Sequence, residues 1–308
     1  MANDPVLFID ANQYVKLFGL CTGKRLLDLL ESQQRHIFVS SQIVDEVARN
    51  KLRAAQVFFA NALKWIRSIK GAVPDHLLGV SDEKTKEYRE VITRIGNELT
   101  TLVANSMSKI SRSEDEVSQR LEKLFDKAHM PLPEQMNRAR DRKERGNPPG
   151  KPEDPLGDQI TWEIFLEHCR GRKQLWIITE DHDYFTQHDK RKLLNSLLHR
   201  DLIRACGKEV EIRLFADLDR GIIDFSQNIG LKAEELLTEQ EEKETRHELE
   251  ALPQFISAKD NYIFGVPPNR AAAVMAAINS AWYSDRNEPG GGGFTGHSGV
   301  PLPLRGEE

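Results

Sequence analysis

Four acids stand where the chain could carry them to one edge of a sheet. Val6-Leu7-Phe8-Ile9 runs straight into Asp10, and Leu175-Trp176-Ile177-Ile178 runs into Thr179, Glu180, Asp181 and Asp183. Short unbroken apolar runs of this kind are the pattern of strands buried on both faces. Ligands in open parallel α/β sheets collect at the carboxyl ends of the strands, so an acid there is placed for chemistry. Glu46 falls in the second turn of a helix that follows Ser40-Ser41, and Asp158 falls in the first turn of a helix opened by Gly157. Two strand-tip acids and two helix-borne acids form a hard oxygen donor set suited to Mg2+ or Mn2+. A divalent ion held so lowers the pKa of water and stabilises displacement at phosphorus. Taken singly, Asp10 also reads as a turn or cap residue, Glu46 as a solvated helix face, Asp158 as an N-cap, and Asp181 and Asp183 as turn formers. Order and element type together separate the set from these blander readings.

The elements that would position these acids follow in order. After Asp10, residues 14–19 read as a short helix, and Leu26, Leu27, Leu29 and Leu30 mark a second. Ile37-Phe38-Val39 is a second buried strand, and Ser40 and Ser41 can cap the next helix through their hydroxyls. That helix carries Ile43, Val44 and Val47 and is expected to continue through Phe58, Leu63 and Ile66. From Pro74 to Gly150 the spacing of Leu77, Val91, Ile95, Leu99, Leu102 and Val103, then of Leu121, Leu124 and Phe125, predicts a helical insertion without strands. It ends in a basic loop, Asn137 to Lys151, with six basic and two acidic residues around Pro148-Pro149-Gly150. Trp162, Phe165, Leu166 and Cys169 then mark one face of a helix, and Trp162 reads as core. A third strand ends at Ile178. A helix through Leu193, Leu197 and Leu198 and an edge strand from Val210 to Phe215 complete the pattern.

Beyond Leu231 the chain reads as one charged, exposed helix to about Glu250. Residues 270–283 carry an apolar stripe (Val274, Ala277, Ile278, Ala281, Trp282) expected to serve self-association or a regulatory protein partner, with docking back onto the chain as the bland alternative. The Gly- and Pro-rich stretch from Asp285 reads as disordered. The expected organisation is therefore a first α/β part at 1–73, a helical insertion at 74–150, a second α/β part at 151–232, a helical extension at 233–284 and a tail at 285–308.

Composition limits the function. With 308 residues, 30% charged, 39% hydrophobic and a net charge of -5, the chain is no polycation, and nucleic-acid contact requires a local basic patch. Arg138, Arg140, Arg142, Lys143, Arg145 and Lys151 are the candidates, because guanidinium matches phosphate geometry; a solvated loop is the alternative. No aromatic residue interleaves them, which leaves base stacking unsupported. Cys21, Cys169 and Cys206 are far apart and odd in number, suggesting neither a metal-ligand pair nor a disulfide framework and fitting a reducing cytoplasm. Met1 to Pro5 is short and polar, against a secretory leader, and no apolar run approaches the roughly 20 residues of a membrane helix.

Residues 6–61 and 152–225 resemble PIN-domain nucleases, particularly the larger PIN-like group with a helical insertion. The matching stretches are Leu7 to Asn12, Val39 to Val47, Gly157-Asp158-Gln159-Ile160-Thr161-Trp162 and, most specifically, Thr179-Glu180-Asp181-His182-Asp183-Tyr184-Phe185. The resemblance implies a three-layer α/β/α fold with a central parallel sheet. It implies an acidic metal site of Asp10, Glu46, Asp158 and Asp181, with Asn12, Thr179 and Asp183 in support, Asp183 also reaching metal through water. It favours Glu46 over the adjacent Asp45, which points about 100° away on a helix. It implies metal-dependent hydrolysis of phosphodiester bonds, usually in RNA, often by a toxic or defensive prokaryotic effector. The insertion, which separates the second acid from the third by over a hundred residues, departs from the short form of the family.

Three other readings compete. A structure-specific DNA nuclease, or one taking single-stranded DNA, would use a related acid cluster. A phosphatase with Asp10 as nucleophile wants a second Asp two residues on, where this chain has Asn12. An inactive nucleic-acid-binding scaffold would keep the acids as relics. His182 could move a proton but reads first as an exposed turn residue.

Overall fold

The computed structural model describes residues 4–20, 23–72, 81–150, 155–189, 191–230 and 237–251. The described residues all fall in the first of two units, residues 1–260. The expected stripe at 270–283 and tail from 285, with Lys151, Leu77 and Cys21, lie outside the described residues.

A four-stranded parallel sheet organises the first unit. Its strands are β1 (Val6–Ile9), β2 (Ile37–Phe38), β3 (Gln174–Ile178) and, named in chain order after a later hairpin, β6 (Glu211–Phe215), in the spatial order β2-β1-β3-β6. Leu7 pairs with Ile37 on one side and Trp176 on the other, and Phe8 with Phe38 and Ile177. β1 and β3 are central and buried on both faces, so neither could alternate apolar with polar residues. β6 has one free edge, and its alternating Glu211 and Arg213 suit that place.

Side-chain alternation along the strands builds two cores. Leu7, Ile9, Trp176 and Ile178 face one way, onto α1 (Ala11–Lys16), α2 (Gly23–Ser32), α3 (Ser41–Ala72) and, beyond β6, α9 (Leu218–Asn228). Val6, Phe8, Leu175 and Ile177 face the other way, onto α6 (Pro133–Glu144), α7 (Gly157–His168) and α8 (Ser196–Cys206). Helices therefore cover both faces of a parallel sheet. The close approach of α9 to β3 requires Gly221: a Cβ there would lie 2.4 Å from Ile178 Cδ1.

The inserted region is helical, as α4 (Asp82–Ser111), α5 (Glu116–Leu124) and α6, and is stitched into both cores. Ile110, Leu121, Leu124 and Phe125 join the first core and Ala139 the second. The α4 stripe is only partly buried: Val103 is inside, whereas Ile95 and Leu102 are exposed. The charged C-terminal segment includes α10 (Glu239–Ala251).

Four expectations need correction. Leu193 lies in β5 (Arg191–Leu194), which pairs antiparallel with β4 (Phe185–His188), and the following helix starts only at Ser196. Asp189, at φ 53°, turns this hairpin. The basic run is not a loop through most of its length, since residues up to Glu144 are the end of α6. The α7 helix is buried all round from Gln159 to Phe165 rather than on one face, because it lies between sheet and α6. Finally, the free thiols of Cys169 and Cys206 are not far apart: their sulfurs approach to 3.5 Å where the end of α7 meets the end of α8.

Among the described residues, no helix is long and apolar enough to cross a membrane.

Candidate functional site

Asp10 ends β1 and caps α1. Its backbone N–H donates to Ile178 O at 2.9 Å, so the ladder to β3 continues one residue past the strand. Its Oδ1 accepts from Ala11 N at 2.8 Å, and its Oδ2 accepts from Thr179 Oγ1 at 2.9 Å. Thr179 is fully buried and also accepts from the Asp181 N–H at 3.1 Å. One hydroxyl thus ties the tips of the two central strands together. The Asp181 carboxylate in turn accepts from the Asp183 N–H at 3.0 Å, which shapes the Asp-His-Asp turn.

The helix-borne acids reach the same edge through a second buried pair. Ser40, just before α3, accepts from Ile43 N and meets Thr161 of α7 at 2.9 Å, hydroxyl to hydroxyl. This contact locks the start of the helix carrying Glu46 to the first turns of the helix carrying Asp158. A backbone bridge adds to it: Ser41 N donates to His129 O and His129 N to Val39 O.

The electrostatics give the arrangement its meaning. The Asp10 carboxyl is held well above the usual carboxylate range, first by burial and then by the charges of Glu46, Asp158 and Asp181, against the lowering effect of the Thr179 hydrogen bond. The charges of all three partner acids thus act in the same direction on Asp10. Asp45 is exposed and is not among them, so helical phase selects Glu46. The buried Tyr184 phenol is pushed up by burial and by the same four acids. Glu180, between Thr179 and Asp181, is drawn aside into a 2.6 Å ion pair with Lys16 of α1.

The loop before α7 presses on this edge. Gly150, at φ +85°, sits where a Cβ would meet Gln159 Nε2 at 2.5 Å and Asp158 Oδ2 at 3.3 Å. The donors are oxygens of hard carboxylates, which fits Mg2+ or Mn2+ rather than a thiolate-loving ion. Among the described residues, no three acid, His or Cys side chains are already drawn into a metal-coordinating group.

The remaining predicted residues divide. Asn12 is half-buried and its side chain makes no hydrogen bond among the described residues. Arg142 is 10% exposed and is consumed by Glu163 and Asp201, so it is not available to phosphate as the sequence suggested. Arg138 pairs with Glu163 at 2.9 Å and Arg140 with the Asn137 amide at 3.1 Å. Lys143 has a partner within the chain, while Arg145 is exposed. His182 is exposed on its turn.

Lys16, Ser40, Thr161, Tyr184 and Gly150 were missed by sequence reasoning as parts of this site. Gly150 carried a signal as the end of Pro148-Pro149-Gly150, Ser40 as a helix cap and Tyr184 as part of the Thr179 to Phe185 stretch; the roles of Lys16 and Thr161 are pairings between elements far apart in the chain. No family model, curated protein or solved structure matches the chain.

Proposed function

We propose that the chain is a metal-dependent endoribonuclease with a PIN-like acidic centre. The observation that carries this reading is that Thr179 ties Asp10 and Asp181 together at one sheet edge, while the Ser40–Thr161 contact locks together the helices of Glu46 and Asp158, whose charges also act on Asp10. A fold gains nothing in stability from burying one carboxylate among three others. A buried carboxyl whose ionisation is opposed by neighbouring acids is a mark of function.

Asp10, Glu46, Asp158 and Asp181 would hold Mg2+ or Mn2+, with Asp183 next to them on its turn. Such an ion, when bound, activates water and offsets charge at the phosphorus. The chain's own part is orientation. Thr179 fixes Asp10 Oδ2 and the Asp181 backbone in one frame. The Lys16 ammonium keeps Glu180 out of the donor set. The Ser40–Thr161 contact sets the spacing of the two helix-borne acids. Held carboxylates bind an ion better than mobile ones, because less reorganisation accompanies binding. None of these roles requires a covalent nucleophile.

The test is cleavage of labelled RNA and single-stranded DNA pools with manganese, magnesium or chelator. Wild type should cut RNA only with metal, and Asp158→Asn should lose at least roughly a hundredfold of that rate. Full activity in Asp158→Asn or Asp10→Asn would refute the assignment, and preferential cutting of DNA would change the substrate.

A further inference from the structure

Two helices outside the acidic edge face each other across a charged cleft. On α6, Arg138, Asp141, Arg142 and Arg145 lie at i, i+3, i+4 and i+7; on α8, Leu197, Arg200, Asp201 and Arg204 repeat that interval. Residues at these intervals share one helix face. Together with Asn147 and Glu163 they wall an open cleft of about 240 Å³. Five arginines and three acids line it, and no aromatic residue does.

The acids do not cancel the arginines evenly. Glu163, buried on α7, accepts from Arg138 Nε at 2.9 Å and from Arg142 Nε and Nη2 at 2.9 and 2.7 Å. Asp201 accepts from Arg142 Nη2 at 2.8 Å, and the carbonyl of Pro148 accepts from Arg142 Nη1 at 2.8 Å. Arg142 therefore serves as a brace joining α6, α7, α8 and the following loop, with all three of its nitrogens engaged. Arg145, Arg200 and Arg204 are exposed, and their side chains make no hydrogen bond or ion pair among the described residues. Three cations thus share a cleft whose buried acids are already matched. Guanidinium groups in that state offer bidentate donors to phosphate oxygens.

We propose that this cleft binds successive phosphates of an RNA strand, with Arg145, Arg200 and Arg204 as its contacts. Arg200 and Arg204 are one helical turn apart, about 6 Å along the axis. Arg145 answers them from the other wall. A spread of this kind matches a chain of phosphates better than one phosphate group. With no aromatic platform in the cleft, it holds the backbone and does not read bases.

The cleft is also joined to the acidic edge. Glu163 and Asp158 lie five residues apart on α7, about 7.5 Å along its axis. The loop from Asn147, on the cleft wall, reaches Gly150, where an added Cβ would lie 3.3 Å from Asp158 Oδ2. The cleft and the acidic edge thus share α7 and this loop. The identity of the ligand rests on the proposed ribonuclease function; the cleft and its unmatched charge do not.

The experiment is fluorescence anisotropy with the full chain and a labelled RNA of mixed sequence, about 20 nucleotides long, in chelator so that nothing is cut. Arg200→Ala with Arg204→Ala should weaken binding roughly tenfold or more. It should also flatten the plot of log affinity against log salt by about 1.4, two phosphate contacts at about 0.7 each. Lys84→Ala with Lys109→Ala, the same change of net charge on α4, should leave both quantities near wild type. Equal affinity and slope in the arginine variant, or an equal loss in the lysine control, would overturn the proposal. The cutting assay on wild type separates the two readings. Arginine-dependent binding without metal-dependent cutting would leave the cleft standing and remove the nuclease. Cutting together with arginine-independent binding would do the reverse.

Discussion

Acid should loosen the helix that carries Asp158, and His168 supplies the reason. This residue ends α7, with its ring centroid 5.2 Å from Phe38 and 4.7 Å from His129. Burial, with smaller contributions from His129 and Arg172, pushes its pKa down from 6.5 to about 4. The native state therefore keeps the imidazole neutral where the unfolded chain protonates it. Stability from this packing is fully present above the unfolded pKa and is lost as pH falls from 6.5 toward about 4. Worked from that shift the full span is at most about 3 kcal/mol, and solvent screening of the partly exposed ring leaves about 1 kcal/mol lost by about pH 5. His129, also lowered by burial, adds a loss in the same direction. Replacing His168 with Leu keeps an apolar side chain against Phe38 and removes the proton site. Urea unfolding of both proteins at about pH 7 and about pH 5 measures the effect. Wild type should lose about 1 kcal/mol more than His168→Leu between the two conditions. An equal loss in both would refute the argument, because the acid sensitivity would then come from elsewhere.

Three further outcomes follow from the same geometry. Magnesium or manganese at about one hundred times its dissociation constant should stabilise the fold by about 2.7 kcal/mol, a rise of roughly 5–10 °C in calorimetry, and the rise should vanish in Asp158→Asn with Asp181→Asn. Gly221→Ala should destabilise by about 1–3 kcal/mol in denaturant titration, since its methyl would overlap the buried Ile178 side chain; a neutral result would mean that α9 can retreat from β3 without cost. Arg142→Ala should cost about 3–5 kcal/mol, because it leaves Glu163 buried with Arg138 alone; a loss below about 1 kcal/mol would show that Arg142 is not the brace described above.

The sequence by itself determined the strands and the acids at their ends. Val6–Ile9 and Leu175–Ile178 could be read because a strand buried on both faces must be apolar throughout, and that pattern is local. The position of Asp10 and Asp181 at the tips followed from the same runs. Glu46 and Asp158 were legible as helix-borne acids, but the choice of Glu46 over Asp45 depended on helical phase, which the packing of α3 fixed. Local spacing also misassigned Leu193, since one leucine cannot distinguish a hairpin strand from a helix without its partner, Thr186. Only the tertiary structure decided which charges meet. The basic run looked uniform in sequence, yet Arg142 lies inside, matched by Glu163 and Asp201, while Arg145 lies outside beside Arg200 and Arg204 from a helix more than fifty residues later. Cys169 and Cys206 met for the same reason, at the junction of two helices whose separation in sequence hid their contact. Periodicity reports how one element divides its faces between core and solvent. The partner on the other side of a contact is set by how layers stack, and no local pattern carries that information.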